Sequence, residues 1–273
     1  MTDLARTQAA LIGSWHRQGL IAVHTVRTAV RQKMLGAWVL LAVALVIGAL
    51  ALGEFNFGKP ELKFIADLGS GAIALFGAAF AATATIQLFF EEMEHRTALT
   101  LLARPVSRAE FLLGKFFGVA ALVAAYSAGM TALLAAVLRV REMALVPEGR
   151  VVRCDWVVIV GILLWLKLTV VAAFSLVVAS GARGRFFATA VCATGFVLGH
   201  LHDLAHAAAA QTSWWLHALL ADAVCLLVPD LALFSAENYD GAWSVLPWRI
   251  IYALAYTAAA CALAAGGFRR REL

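Results

Sequence analysis

Charge is what this sequence has least of. Only 14% of its 273 residues are Asp, Glu, Lys or Arg, and 63% are hydrophobic. A soluble domain of this length carries about a quarter charged residues. A soluble main body is thereby excluded, and no stretch between the apolar runs has the length to be a soluble domain of its own. A phosphate-binding loop is also missing. Gly114-Lys115 lacks the upstream glycine, is followed by Phe116 and opens an apolar run, so the chain does not hold ATP by that device. The four cysteines (Cys154, Cys192, Cys225, Cys261) stand singly, with no CxxC or other ligand spacing. No nucleophile–base pair suits an intramembrane protease, because Ser175 and Ser180 have no histidine in the same or a facing run. Glu91 and Glu92 are a poor acid–base pair, since adjacent residues on a helix point about 100° apart. No internal repeat of the kind usual in secondary transporters is visible. No cleavable leader is expected, because the first apolar run starts near Leu35, too late and too long.

What is present is a series of apolar runs, most of them near the roughly 20 residues that a bilayer requires. They predict an all-α polytopic membrane protein with six spans, in a single domain over residues 1–273. The spans are expected at about Leu35–Gly53, Ser70–Phe90, Phe111–Leu138, Trp156–Ser180, Phe186–Gly199 and Trp248–Phe268. Residues 1–34 read as an amphipathic segment: Leu20, Ile21, Val23, Val26 and Val30 alternate with Arg17, His24, Arg27, Arg31 and Lys33. That suits a basic helix in the headgroup layer. The second and third runs are rich in small residues, including Gly71, Gly77, Gly114, Gly118 and Gly129, which let helices approach closely in lipid. Residues 54–67 and 139–155 read as loops. Residues 200–246 are mixed, and Leu216–Val228 is too short and broken for a span, so this part is expected to be extracytoplasmic or re-entrant.

The net charge of +5 is read as topology rather than as nucleic-acid binding. With six spans, fourteen of the 22 Lys and Arg residues fall on the side of the N-terminus and seven on the other, with Lys167 inside a span. The excess of positive charge on cytoplasmic faces then puts both termini, and the loop at 91–110, in the cytoplasm.

That loop is the most informative stretch of the chain. Glu91 and Glu92 end the second span. A helix-prone piece follows from Glu94, with Leu99, Leu101 and Leu102 as its apolar positions. Arg104-Pro105 stops it, because the residue before proline is pushed out of the α region. Ser107-Arg108-Ala109-Glu110 then fits a capping box ahead of the third span. The stretch therefore predicts helix, break and new helix on a charged face.

This order of residues resembles the ABC-2 type transporter permeases, the membrane-spanning subunits of a class of ABC exporters. The resemblance is carried by Glu91, Glu92 and Glu94, by Arg96-Thr97, by Leu101-Leu102, by Pro105-Val106-Ser107-Arg108, and by Glu110-Phe111 with Gly114-Lys115. Pro229-Asp230-Leu231 with Phe234 resembles a later segment of the family, with Asp230 where asparagine is more usual. The ending Phe268-Arg269-Arg270-Arg271-Glu272-Leu273 resembles its C-terminus. The resemblance implies an elbow helix at the N-terminus and a coupling helix over Glu94–Ala103 that docks on an ATPase. The ATPase-coupling residues would be Glu91, Glu92, Glu94, Arg96, Thr97, Leu101, Leu102, Arg104, Pro105 and Arg108. It implies no cofactor on this chain, ATP and Mg on a partner ATPase present in two copies, a second permease copy in a homodimer, and the bacterial inner membrane as location.

Two further features carry other chemistry. Lys167 lies near the middle of the fourth span, where a charge is costly and faces a partner or a watery cavity; the functional reading is a residue on the substrate path, and snorkelling toward an interface is the alternative. No acidic residue lies at matching depth in another clear span. His200, His202, Asp203 and His206 form the other group. On a helix His202 and His206 share a face and suit a transition metal, whereas His200 and His202 point apart; histidines resting at a membrane–water interface are the simpler account. Two functions from other classes stay open on these residues: a metal- or haem-handling membrane protein, such as one for metallocentre assembly, and an ion-coupled secondary transporter using Lys167.

Overall fold

A computed structural model of the chain describes residues 17–52, 61–94, 108–145, 154–201, 228–235 and 246–269. The described residues are helical apart from short connections, and no strand occurs among them. In chain order the helices are α1 (Arg17–Val30), α2 (Lys33–Leu52), α3 (Glu61–Glu94), α4 (Arg108–Leu145), α5 (Cys154–Gly181), α6 (Arg185–His200) and α7 (Leu246–Arg269), with a 3-10 turn at Ala232–Phe234 before α7. Helices are what such runs must form in hydrocarbon, where each backbone polar group needs a partner within its own segment. Buried hydroxyls obey the same rule: Thr83, Thr85 and Ser175 each donate to the carbonyl four residues back, at 2.6, 2.7 and 2.8 Å.

The centre of the bundle is α5, packed against α3, α4, α6 and α7, with α2 and α4 completing the wall around α3. Small residues set the closest approaches. A Cβ at Gly77 would lie 2.7 Å from both Leu168 and Tyr126, so the side chains of these α5 and α4 residues rest directly on the α3 backbone there. The Tyr126 hydroxyl donates to the Ile73 carbonyl at 3.2 Å across the same contact. Gly161 rests on Thr131, and Gly195 on the ring of Phe174.

Among the described residues four helices are long and apolar enough to cross a membrane: Leu62–Glu91, Ala109–Ala144, Trp156–Gly181 and Leu246–Phe268. The count becomes five if α1 and α2, which meet at a 66° bend, form one broken span. The expected six spans are thus reduced among the described residues. The predicted fifth, Phe186–Gly199, lies in α6, which at 16 residues falls short of the roughly 20 needed to span. Two loops were also placed too generously. Helix α3 begins at Glu61, so 61–67 is helix rather than loop. Helix α4 runs to Leu145, past the predicted end at Leu138. The reason is the same at both places. A helix does not stop where the hydrocarbon does, and Arg139 extends α4 by pairing with Glu142 one turn on, at 2.8 Å.

The N-terminal helix differs in which face it buries. Thr25 and Ala29 are each 1% exposed and face the bundle, whereas Leu20, Val23 and Val30 point outward. Its inner stripe is made of small residues, not of the largest apolar ones.

Candidate functional site

Two places gather polar side chains on this apolar scaffold, one at each end of the bundle. The first surrounds the ends of α3 and α4 that flank residues 95–107. There α1 runs alongside the start of α4. Gly114 and Gly118 face it so closely that a Cβ would come within 2.9 Å of Ile21 and 2.7 Å of Thr25. The Gly114/Gly118 pair expected to mediate close contact does so, with α1 as its partner. At one end of α1, Arg17 pairs with Glu110 at 3.0 Å. Beyond the other end, Gln32 donates to the Glu91 carboxylate at 2.8 Å. Lys115, almost fully buried, donates to the Leu88 carbonyl and so ties α4 to the last turns of α3; its ammonium also sits 5.7 Å over the Phe111 ring. Phe268, near the end of α7, is fully buried against Phe89 and Phe111, at 5.8 and 6.3 Å between ring centroids.

The second place is a cavity of about 400 Å³ in the other half of the bundle, between α3, α5 and the end of α6. Lys167, at the midpoint of α5, lines it and is 3% exposed. Asp67 and Ser70 on α3, His200 on α6, and Phe234 with Ser235 complete its polar rim and cover. The segment Val228–Ser235 is held down by three contacts. Leu231 N–H donates to the Gly199 carbonyl at 2.9 Å. Gly199 leaves no room for a side chain, since a Cβ would lie 2.7 Å from the Pro229 carbonyl oxygen. Asp230 N–H donates to the Tyr252 hydroxyl at 2.9 Å, which ties the segment to α7. The Asp230 carboxylate turns inward on its own chain, accepting from Ala232 N–H at 3.0 Å and Leu233 N–H at 3.4 Å, and so caps the 3-10 turn. Lys167, His200 and Asp230 act on one another through space. His200 Nδ1 lies 2.8 Å from the Phe196 carbonyl, so that nitrogen carries the hydrogen and Nε2 is left as the acceptor of the neutral ring.

The family model for ABC-2 family transporter proteins matches residues 20–202. The chain belongs to that family. No curated protein matches it.

As an ABC-2 membrane component the chain uses some of its predicted site residues in ways the structure describes. Glu91 is bonded to Gln32. Glu92 and Glu94 close α3 and Arg108 opens α4. Arg96, Thr97, Leu101, Leu102, Arg104 and Pro105, together with the expected coupling helix, lie outside the described residues. So do His202, Asp203 and His206, which leaves His200 as the described member of the expected metal group. Among the described residues no set of three or more His, Cys, Asp or Glu is gathered to hold a metal ion. Sequence reasoning missed Asp230 as the charge facing Lys167, and Asp67 and Phe196 as cavity residues. The signal for Asp230 was an Asx-type cap ahead of a short turn, readable locally, but nothing in the sequence links it to α5. Arg17 and Gln32 were missed as well, because their partners lie 93 and 59 residues away.

Proposed function

We propose that this ABC-2 membrane protein is the permease subunit of an ATP-driven exporter, with ATP and Mg handled by a separate ATPase chain. The observation that carries this reading is the family match over 20–202, because it includes the whole of α3, the 95–107 connection and α4. Members of the family generally work with ABC ATPases. In this reading two copies of the chain meet two ATPases in the bacterial inner membrane. Both termini are cytoplasmic, α2 and α6 count among six spans, and Glu94–Ala103 is the coupling helix. Glu91, Glu92, Glu94, Arg96, Thr97, Leu101, Leu102, Arg104, Pro105 and Arg108 form or frame the ATPase contact. ATP-driven closure of the ATPases pushes on that helix, and α3 and α4 carry the push into the bundle. Lys167 lines the substrate path. The anchoring of α3 and α4 to α1, through Gln32–Glu91 and Arg17–Glu110, supports such a transmission by making this end of the bundle stiff.

The test is co-purification from mild detergent, with the partner bands identified by mass spectrometry. A stoichiometric ATPase chain is expected, and Leu101→Ala with Arg104→Glu is expected to uncouple transport from ATP hydrolysis and to loosen the ATPase. A preparation from cells making all natural partners that holds no ATPase would overturn the reading.

A further inference from the structure

The cavity between α3, α5 and α6 contains an arrangement that stability alone does not call for. An ammonium at the middle of a membrane helix is costly even on the mildest insertion scale. Buried cations are normally offset by a direct carboxylate or by carbonyl oxygens. Among the described residues Lys167 makes neither an ion pair nor a hydrogen bond. The carboxylate acting on it belongs to Asp230, and one oxygen of that carboxylate is occupied by two backbone N–H groups. Asp67 lines the same cavity, but among the described residues it makes no ion pair with Lys167. His200, bonded through Nδ1 to its own helix, brings no fixed negative charge.

Ser70 and Ser235 add two uncharged polar groups, and the rest of the lining is mostly hydrocarbon. Ala74, Leu75, Leu163, Leu164, Phe196 and Phe234 supply the walls. The volume, about 400 Å³, falls within the range of small-molecule sites, which join apolar walls to a few convergent polar groups. The site thus pairs one incompletely neutralised cation with an apolar compartment.

We propose that this cavity binds a small amphipathic organic acid, with its carboxylate, sulfonate or phosphate on the Lys167 ammonium and its apolar part against the walls. The Val228–Ser235 segment covers the bound molecule, held by Gly199 on one side and Tyr252 on the other. As a statement about cargo, this rests on the permease reading above; binding itself is measurable without it.

The experiment uses the full chain in detergent and two probes of equal length and opposite charge, hexanoate and hexylammonium. Hexanoate is expected to raise the thermal unfolding midpoint saturably, and hexylammonium is not. Lys167→Met should weaken the apparent hexanoate affinity at least tenfold, and Lys167→Arg should retain most of it. Should Lys167→Met not purify folded, Leu164→Trp fills the cavity while leaving the ammonium, and it must abolish the response as well. Equal stabilisation by both probes, an undiminished response in Lys167→Met or Leu164→Trp, or no saturable hexanoate response in the unmodified chain overturns the proposal. A hexanoate site in a chain that recruits no ATPase would keep the site and remove its cargo role. An ATPase-coupled chain blind to hexanoate would keep the permease and remove the site.

Discussion

Replacing Gly118 by alanine tests the docking of α1 on α4. The new Cβ would lie 2.7 Å from Thr25 Cβ and 2.9 Å from the Ala22 carbonyl oxygen. The second of these is backbone, so trimming a side chain does not relieve it, and α1 must step away. Overpacking of this kind costs about 1–3 kcal/mol. Set against it is the gain from replacing glycine inside a helix, about 0.5–1 kcal/mol. Gly129 separates the two effects. It lies in the same helix and has nothing within 4 Å of its own would-be Cβ. Gly129→Ala therefore has the gain without the collision. The difference between the two variants isolates the collision: Gly118→Ala should be less stable than Gly129→Ala by about 1–3 kcal/mol. Denaturant unfolding of both variants in the same detergent measures it. Equal stabilities would show that α1 does not rest on Gly118, and the account of this end of the bundle would fall with it.

Three other outcomes follow from the same contacts. Gly199→Val should drive the Val228–Ser235 segment off the end of α6, because its side chain would meet the Pro229 carbonyl; a cysteine placed at buried Phe234 should then react with a maleimide many times faster than in the unmodified background, and an unchanged rate would count against the covered cavity. Tyr252→Phe removes the acceptor of the Asp230 N–H and should cost about 1 kcal/mol in the same unfolding assay; an unchanged stability would show that this bond does not hold the segment. Exchanging the charges, Arg17→Glu with Glu110→Arg, should recover most of what either single change loses; the pair is partly solvated, so the coupling in a double-mutant cycle should stay within about 1 kcal/mol, and additivity of the two single changes would show that the ion pair contributes nothing.

The apolar runs made the helices legible, because a continuous apolar run of about 20 residues satisfies its backbone in lipid by coiling into a helix. They did not make helix ends legible. Hydropathy marks where hydrocarbon ends, and α3 and α4 continue beyond it on Glu61–Asp67 and on the Arg139–Glu142 turn. The close approach at Gly114 and Gly118 was readable as a tendency, yet the partner was not, since small residues say that something comes near and not what. Lys167 was recognised as an anomaly from its depth alone. Its opposing charge was not, because Asp230 lies outside the spans, brought back by a strap whose course depends on Gly199 and Tyr252. Periodicity carries no information about a loop that folds over the end of a bundle.

The start of α1 and the turn just beyond its end are fastened to different helices, Arg17 to α4 and Gln32 to α3. These are the helices that flank residues 95–107. Helices α3 and α4 are thus joined through this N-terminal stretch as well as packed on one another, and sliding one past the other strains one of the two fastenings. In the permease proposed above, the short N-terminal helix thus governs how much of a push at this edge of the bundle reaches its middle.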